Sequence, residues 1–404
     1  MYRDEPYFPE DSGWRFFSGT KSQEMGMKTK VRCCNDSPSF IDERLVREQR
    51  TMSNVPVFVG LDYHQDSIQV CVLNQKGDVL LNRSTGNDCD ELGRLVNPLG
   101  IVQRVGIEAC CGAADLGEEL VERLGWNVSL GHAAYIARMK SSPDKSDYSD
   151  GRMLADLTRV GYLPRVWLAP ANIRELRQLV NHRQRLVDRG RALKLQVGAI
   201  LREQRVKIDK QRGSRWSKAW TASVRDNEQL SKHARWIVND LLDDIVQTKG
   251  KITRTDARLR EASEGDKVVA KLLEQAGIGE VTAWVLRAYI GDFSRFKTAK
   301  QLSRYCGLSP CNASSGQRVS DSGLVDGCNK LLRMTIVQAA HRLIRTVDRW
   351  VKLADSLRKR GKPACVIVGA VGNRWVRTLH HAMKEPQGKD SSRKESPEQS
   401  QATN

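Results

Sequence analysis

The stretch VFVGLDYHQD, residues 57–66, places one carboxylate, Asp62, directly after a run of apolar residues and glycine. That run has the length and composition of a buried β-strand. An unpaired carboxylate in an apolar layer costs free energy, so Asp62 must be paired, exposed at the edge of a sheet, or bound to a cation. The rest of the sequence has to distinguish these three environments.

The composition indicates a large basic protein. Its 404 residues are enough for two or three domains with separate cores. The chain has 66 Lys and Arg against 48 Asp and Glu, a formal net charge of +18. Basic tails and membrane-surface helices also carry such a charge, but here it is spread through segments with the pattern of folded protein. This distribution favours a polyanion, and nucleic acid first, as the partner.

Two classes of protein are disfavoured by the sequence. No apolar run approaches the roughly 18 residues of a membrane span, and the N-terminus lacks the apolar segment of a signal peptide. We therefore expect a cytoplasmic protein with no membrane partner. The 10 cysteines show no C-x-x-C spacing, which predicts reduced thiols rather than a disulfide framework or a zinc site.

Changes of pattern along the chain predict five segments. The first segment is polar and without period, so we expect a disordered extension and a working protein that begins near Met52. The last is a low-complexity tail with too few apolar residues to fold. The predicted segments are a disordered extension (1–54), an α/β domain (55–164), a basic helical arm (165–264), a mainly helical C-terminal domain (265–384) and a disordered tail (385–404).

The α/β domain begins with three predicted strands, VFVGLD, SIQVCVLN and VLLNRST. The QKGD turn between the last two suits a hairpin because Gly77 can adopt a positive φ, so an antiparallel meander is predicted. A strand, RVGIEACC, a helix, GAADLGEELVERLG, a short strand, WNVSL, and a helix from about Asp144 follow. A meander followed by alternating strands and helices is the order of an RNase H-like fold.

The segment from 165 to 220 contains 15 Lys and Arg against 4 Asp and Glu. Its apolar residues keep approximate heptad spacing, interrupted by Arg183 and Gly190, which predicts a long coiled-coil helix with a narrow seam. The basic face could simply be solvated, or it could lie on phosphates while the seam packs against a partner helix. The seam residues are Ile173, Leu176, Val180, Val187, Val197 and Leu201.

Four acidic residues are the candidate metal ligands. Asp62 ends the first strand and Glu108 ends RVGIE, which we place beside it, while Asp147 and Asp150 share one face of the following helix. Converging carboxylates repel one another unless a cation lies between them, and Mg²⁺ or Mn²⁺ prefers such oxygen ligands. Each acid also has a structural explanation: Glu108 can be an ordinary strand-end charge, and Asp144 can cap the helix with Asp147 near its positive end.

The C-terminal domain contains two further motifs. In AGIGEVTAWVL, Gly277 and Gly279 form the G-h-G of a helix-hairpin-helix, whose exposed amides can hold a phosphate, although plain helix turns use the same pattern. In CNASSGQR, serine hydroxyls precede a glycine in what could also be an ordinary polar loop. Basic residues that could contact nucleic acid follow these serines in the chain: Arg318, Lys330 and Arg333.

Together these motifs resemble a known family. GLD, GIEA and KSDYSDGRMLA are similar to the D, E, D, D signature of the DEDD insertion-sequence transposases, the family named after insertion sequence 110 and related to the Piv-type DNA invertases. The resemblance continues through AGIGEVTAWVL, YCGLSPCNASSGQ and GCNKLLRMTIVQAA, and covers about residues 55–384. Gly151 and Ala276 stand where Ala and Pro are usual, and neither departure removes a functional group.

The resemblance implies a RuvC-like catalytic domain and a C-terminal serine domain. Asp62, Glu108, Asp147 and Asp150 would bind Mg²⁺ or Mn²⁺. Ser315 would be the nucleophile that forms a phosphoserine ester with DNA, with Ser314 as the second candidate. The implied partners are DNA at the element ends and target, further copies of the chain whose serine domains complete each other's sites, and, as in some members, a structured noncoding guide RNA.

Two other classes of function remain open at this point. A RuvC-like, metal-dependent Holliday-junction resolvase would use the same carboxylate fold without the serine. A DNA-binding protein without enzymatic activity would tolerate the loss of Asp62. A sugar-kinase-like ATPase has no support, because the sequence shows no Gly-rich phosphate loop.

Overall fold

The computed structural model describes residues 54–140, 146–207, 214–312 and 321–384. Its N-terminal part contains a mixed sheet of six strands in the order β3-β2-β1-β4-β5-β6. Sequence order and sheet order differ because β4 pairs with the first strand rather than with the third. The strands are β1 (Pro56–Tyr63), β2 (Ser67–Leu73), β3 (Val79–Gly86), β4 (Ile101–Glu108), β5 (Val128–Gly131) and β6 (Arg165–Val166).

The pairing of the strands agrees with the sequence prediction. β1, β2 and β3 form the predicted antiparallel meander, and Gly77 in its second turn has a φ of +93°. β4 runs parallel to β1, β5 runs parallel to β4, and the short β6 is antiparallel to β5. This mixed α/β architecture is consistent with an RNase H-like domain.

In the described part of the chain, four α-helices accompany the sheet, two more than the sequence predicted. The additional ones are α1 (Cys89–Val96), which begins at an Asp88 cap that accepts a hydrogen bond from the Glu91 amide, and α3 (Ala133–Met139). The predicted ones are α2 (Ala113–Leu124) and α4 (Asp147–Arg159). The N-cap of α4 is Ser146, so the prediction that this helix begins at about Asp144 was too early; Asp144 lies outside the described residues.

Helix α4 lies against the sheet at two glycines. A Cβ on Gly60 of β1 would lie 2.3 Å from the backbone nitrogen of Ala155, and a Cβ on Gly106 of β4 would lie 2.1 Å from Thr158 Oγ1. Gly60 and Gly106 are register partners on adjacent strands. The missing side chains therefore allow α4 to contact the sheet backbone, and this contact positions the acidic first turn of α4.

The arm is an antiparallel pair of long helices, α5 (Ala171–Glu203) and α7 (Lys232–Ala262), with the short α6 (Lys218–Arg225) near its far end. Two ion pairs show that the two long helices run in opposite directions. Arg183 Nε lies 2.5 Å from Asp256 Oδ1, and Arg189 Nη2 lies 3.3 Å from Asp244 Oδ2. The long helix predicted for this segment is thus present, and the same chain supplies the helix that packs against it.

The apolar residues of α5 divide between two cores. The base of the arm contributes Leu176 and Val180 to the core of the C-terminal domain. The far end has its own core, in which Val197 and Leu201 pack with residues of α6 and α7. Of the predicted seam, only Val187 is half-buried rather than buried; the other five residues are buried, as are Leu186 and Leu193, which the heptad interpretation omitted.

The C-terminal domain contains six helices and one hairpin in the described part of the chain. Its core includes Trp284, Trp350 and Trp375. The elements are α8 (Lys267–Leu273), α9 (Glu280–Ile290), α10 (Ala299–Tyr305), β7 (Pro310–Asn312), β8 (Asp321–Leu324), α11 (Lys330–Thr346), α12 (Asp348–Lys359) and α13 (Ala364–Lys384).

Trp167, in the link between β6 and α5, fixes the N-terminal sheet to the C-terminal domain. A Cβ on Gly291 would lie 2.1 Å from the Trp167 ring, so the ring packs directly on the Gly291 backbone. The guanidinium carbon of Arg295 lies 4.4 Å from the centroid of the same ring. A cation at this distance from an indole face is an attractive contact. The indole therefore joins the two domains at the base of the arm.

None of the helices in the described part of the chain combines the length and the apolar composition that crossing a bilayer requires.

We expect Gly60→Ala to destabilise the fold by at least about 1–3 kcal/mol, because the added methyl group meets the backbone of α4 and overpacks the site. Thermal unfolding of the full-length variant measures the effect. Gly250→Ala is the matched control: it lies in α7 with nothing within 4 Å of its Cβ position, and should be neutral or slightly stabilising. Equal melting temperatures for the two variants would contradict this account of the contact.

Candidate active site

Asp62 and Glu108 lie at the same edge of the sheet. Leu61 of β1 is paired with Ile107 of β4, and the two strands are parallel. The next residues of the two strands, Asp62 and Glu108, therefore lie side by side. The side chain of Asp62 is 16% exposed, at the boundary between the core and solvent. The sequence prediction that these two strands are neighbours is confirmed by the register.

The first turn of α4 contributes the other two predicted carboxylates. Asp147 is exposed, whereas Asp150 is buried. The two side chains lie three residues apart on one face of the helix. The close contact of α4 with Gly60 and Gly106 brings this turn to the carboxyl ends of β1 and β4, where Asp62 and Glu108 are found.

A histidine that the sequence analysis did not select stands between two of the acids. His64 Nε2 lies 3.6 Å from Asp62 Oδ2 and 3.7 Å from Asp147 Oδ2. One potential ligand atom from each of these three residues falls within 4.8 Å of the others. His64 directly follows Tyr63, the last residue of β1, and its position two residues after Asp62 was the signal available in the sequence.

A lysine also reaches the cluster. Lys140, just after α3, places Nζ 2.7 Å from Asp150 Oδ2, and both side chains are largely shielded from solvent, with exposed fractions of 27% and 10%. An ion pair in such a setting is stronger than one at the open surface. Lys140 therefore neutralises part of the negative charge at Asp150.

The electrostatics of Asp62 reflect all of these neighbours. Burial raises the pKa of Asp62 above its ordinary value; His64 lowers it, and the carboxylates of Asp150, Asp147 and Glu108 raise it further. Each of the other three predicted ligands is thus close enough to repel a charge on Asp62. Asp62 and Asp147 lie in one cluster with His64, and Asp150 and Glu108 lie within electrostatic reach of Asp62.

The donor set fits a divalent cation. Carboxylate oxygens are the ligands that Mg²⁺ and Mn²⁺ prefer, and a cation placed among them would remove the repulsion felt by Asp62. The imidazole of His64 is a ligand that Mn²⁺ accepts along with oxygen donors. Asp62, His64 and Asp147 could hold such an ion, with Glu108 and Asp150 close to it.

The predicted nucleophile belongs to the connection between β7 and β8. These strands are antiparallel, and Asn312 is paired with Asp321 at the end from which the connection leaves the hairpin. Ser314, Ser315 and Arg318 lie in the segment between them, outside the described residues.

The other basic residues predicted near that serine are described. Lys330 is the exposed first residue of α11 and has no ion-pair partner in the described part of the chain. Arg333 instead donates a hydrogen bond to the carbonyl oxygen of Val325, one residue beyond β8. The structure therefore gives Arg333 a contact that supports the base of the hairpin.

The G-h-G turn lies between α8 and α9. Gly277 has a φ of +85°, and a Cβ there would lie 2.6 Å from Leu343 Cδ2, so both backbone and packing require glycine. Gly279 is the N-cap of α9 and has nothing within 4 Å of its Cβ position. Next to it, Glu280 forms an ion pair with Arg260 at 2.8 Å, which places a negative charge at this helix start.

Family models match both folded parts of the chain. The model described as "DEDD_Tnp_IS110: Transposase" matches residues 59–205, which include the four acids. The model described as "Transposase IS116/IS110/IS902 family" matches residues 269–354, which include the G-h-G turn and the hairpin. A third model, for the Imm33 immunity protein domain, matches residues 1–32, outside the described residues.

Curated relatives align over most of their length. The transposase for insertion sequence element IS1111A from Coxiella burnetii is 21% identical over 79% of this chain and 88% of the relative. A probable family 20 transposase from Pseudomonas aeruginosa is 26% identical over 68% of this chain and 82% of the relative. The transposase for insertion sequence element IS1328 from Yersinia enterocolitica is 23% identical over 72% and 84%, respectively.

The two transposase models match in the order in which the carboxylate domain and the helical domain occur in the fold. The relatives extend across both domains. The chain belongs to the IS110 family of DEDD transposases, and it is an enzyme.

Proposed function

We propose that this transposase cleaves and exchanges DNA strands with the help of Mg²⁺ or Mn²⁺ and through a phosphoserine intermediate at Ser315. The observation that supports the metal-dependent part is the environment of Asp62, whose pKa is raised by burial and by three further carboxylates. The serine part rests on the resemblance of the SSG motif to that of the family.

In the proposed mechanism, Asp62, Glu108, Asp147 and Asp150 would hold the metal, and His64 would orient Asp62 and Asp147 or join the ligands. A divalent ion held there would supply polarisation of the scissile phosphate and stabilisation of negative charge in the transition state. The carboxylates would thereby also fix the position of the DNA backbone at the edge of the sheet.

Ser315 Oγ attacks the phosphorus, so that an O–P bond forms to serine and the O–P bond to the departing sugar breaks. The serine hydroxyl loses one proton and the departing sugar hydroxyl gains one, and the reverse transfer to another strand restores the serine. The serine ester conserves the energy of the broken phosphodiester bond, so rejoining needs no ATP. In agreement with this, the sequence contains no P-loop motif.

The proposed partners are DNA at the element ends and target, further copies of the chain, and a structured noncoding guide RNA. The relatives are named as transposases of insertion sequence elements, and the formal charge of +18 suits binding to nucleic acid. With guide RNA, target choice would reside in base pairing and the protein would contact mainly backbone.

Two structural interpretations belong to the same proposal. The helix pair α5 and α7 would act as a coiled-coil connector between subunits. The turn at Gly277 and Gly279 would act as a helix-hairpin-helix contact to phosphate, supported by the open space around Gly279. The Glu280 carboxylate at the start of α9 would weaken that contact unless it stays paired with Arg260.

We expect Asp62→Asn to lower strand exchange by at least about 10²–10³-fold, because the substitution removes a metal ligand and the charge stabilisation it supports. Nucleic-acid binding should remain, since the change makes the site less negative. Cleavage of an element-end substrate in Mg²⁺ and a parallel binding titration measure the two effects. Normal exchange by this variant would exclude Asp62 from the ligands.

We expect Ser315→Ala to abolish a covalent protein–DNA adduct as well as strand exchange, whereas Ser314→Ala should retain both. The adduct is trapped on a nicked substrate, denatured, and mapped to the peptide that contains Ser315. Cleavage by Ser315→Ala at near wild-type rate, with no adduct, would support the RuvC-like resolvase mechanism without serine chemistry. Asp62→Asn serves as the control that removes both reactions.

We expect His64→Gln and Lys140→Gln to change metal affinity in opposite directions. Loss of His64 should weaken Mn²⁺ binding by about 10–100-fold, as for other groups that support metal ligands. Loss of the Lys140 ammonium, which lies 2.7 Å from Asp150, should strengthen binding because it removes a competing cation. Calorimetric titration of the full-length variants with Mn²⁺ measures both, and equal affinities would contradict the proposed contacts.

A further inference from the structure

A groove runs along the arm, away from the carboxylate site. It consists of two adjoining cavities of about 280 Å³ and 600 Å³, which share Val187 and Arg191 of α5. The smaller cavity lies between α5, α9 and α11, and the larger one lies between α5 and α7 and reaches Trp216. We call the two cavities together the arm groove.

The charge of the arm groove has one sign. Its lining includes five cations and, among the described residues, no Asp or Glu. Arg183 is neutralised by Asp256, and Arg191 lies 3.6 Å from Asp188 with both side chains largely exposed, an arrangement that contributes little. The remaining cations, Lys194, Lys249 and Arg342, have no ion-pair partner in the described part of the chain.

The floor of the arm groove is apolar and half-open. Val187 and Ile245 are half-buried, and Gly190, in the middle of α5, has only Thr248 Cγ2 near its Cβ position, at 3.6 Å. A larger residue at 190 would fill the space between the two long helices. The absence of a side chain thus keeps a gap open in a helix pair that is otherwise closely packed.

The far end of the arm groove carries an aromatic residue in an unusual conformation. Trp216 has a φ of +73°, a region that residues with a Cβ rarely adopt and that functional segments hold more often than others. Its ring packs at 4.7 Å from the ring of Trp220, and Lys194 Nζ lies 5.4 Å from its centroid. Arg215 reaches across α5 at Gly198, where a Cβ would lie 2.7 Å from Arg215 Nη2.

This arrangement selects one kind of polyanion. A row of unneutralised cations follows a phosphate backbone. The half-buried indole of Trp216 can stack against a base in the place now taken by Lys194 and Arg215, which lie 5.4 Å and 5.3 Å from the centroid of its ring. A duplex keeps its bases stacked inside, so its bases would not contact the apolar floor or Trp216. A single strand exposes both phosphates and bases.

We infer that the arm groove binds a single-stranded segment of nucleic acid, with phosphates on Arg191, Lys194, Lys249 and Arg342 and a base against Trp216. The inference rests on the proposed function only in taking nucleic acid as the partner, and it requires neither the metal nor Ser315. The lining of the arm groove on α5 from Arg183 to Lys194 covers 12 residues, an axial rise of about 16 Å, which is room for a few nucleotides.

A charge-reversal pair tests the phosphate contacts. Lys249→Glu in the arm groove and Lys251→Glu, two residues away on the other side of α7, make the same change of charge on the same helix. Binding of a fluorescent single-stranded oligonucleotide to full-length protein is measured in EDTA over a range of salt, with oligouridine and oligothymidine as separate probes.

Lys249→Glu should weaken binding by about tenfold or more. It should also reduce the slope of log affinity against log salt by about 0.7 for each phosphate that the variant no longer neutralises. Lys251→Glu should change both quantities much less. Equal effects of the two substitutions would overturn the inference, since they would indicate only a general effect of net charge. Weaker binding of one probe alone identifies whether RNA or DNA occupies the arm groove.

Photochemical crosslinking tests the aromatic contact. Ultraviolet crosslinks to the bound strand should map to the peptide that contains Trp216, and Trp216→Leu should weaken binding by about tenfold without changing the salt slope. Thermal unfolding shows whether that variant folds; if it does not, the Lys249 comparison still decides. Crosslinks confined to peptides outside the arm groove would refute the inference.

The outcomes separate this inference from the proposed function. Ser315→Ala protein should bind the single strand with wild-type affinity even though it forms no adduct. If it binds through the arm groove while wild-type protein also forms no adduct, the inference stands and the serine mechanism fails. If adduct formation is normal and the Lys249 and Lys251 variants are alike, the reverse holds.

Discussion

The contact between α4 and the two strands that it crosses is the constraint on which the site depends. Gly60 and Gly106 leave no side chain between sheet and helix, so the backbone of Ala155 comes within reach of the strand. With any larger residue at these two positions, the first turn of α4 would lie farther from the strand ends. The position of the acidic first turn of α4 therefore depends on two residues that carry no functional group.

This closeness has an electrostatic cost. Four carboxylates are gathered where burial already raises the pKa of Asp62, and a folded chain without cations must tolerate their repulsion. Lys140 and His64 relieve part of it, at Asp150 and between Asp62 and Asp147, respectively. The apolar core beneath the strands supplies the stability that such a cluster requires.

Much of the fold and the acidic residues of the candidate site could be predicted from local patterns, whereas His64 and Lys140 were not. The meander follows from strand length and turn chemistry, and the placement of β4 beside β1 follows from the order of the elements. The shared ligand role of the four acids stays a prediction. Lys140 could not be predicted, because its partner Asp150 belongs to a different helix and no local spacing pairs the two residues. Helix α3 itself is seven residues long, too short for a helical period to be recognisable in sequence.

The arm shows a different limit of prediction from sequence. A heptad seam on α5 predicts that some helix fills it but not which one, and the structure gives that place to α7 of the same chain. Because the two helices run antiparallel, the arm leaves the body of the protein and returns to it at one end. Removing equal lengths from both helices would shorten the reach of the arm without disturbing either domain at its base. The span of the arm is therefore a dimension that evolution can adjust separately from the chemistry.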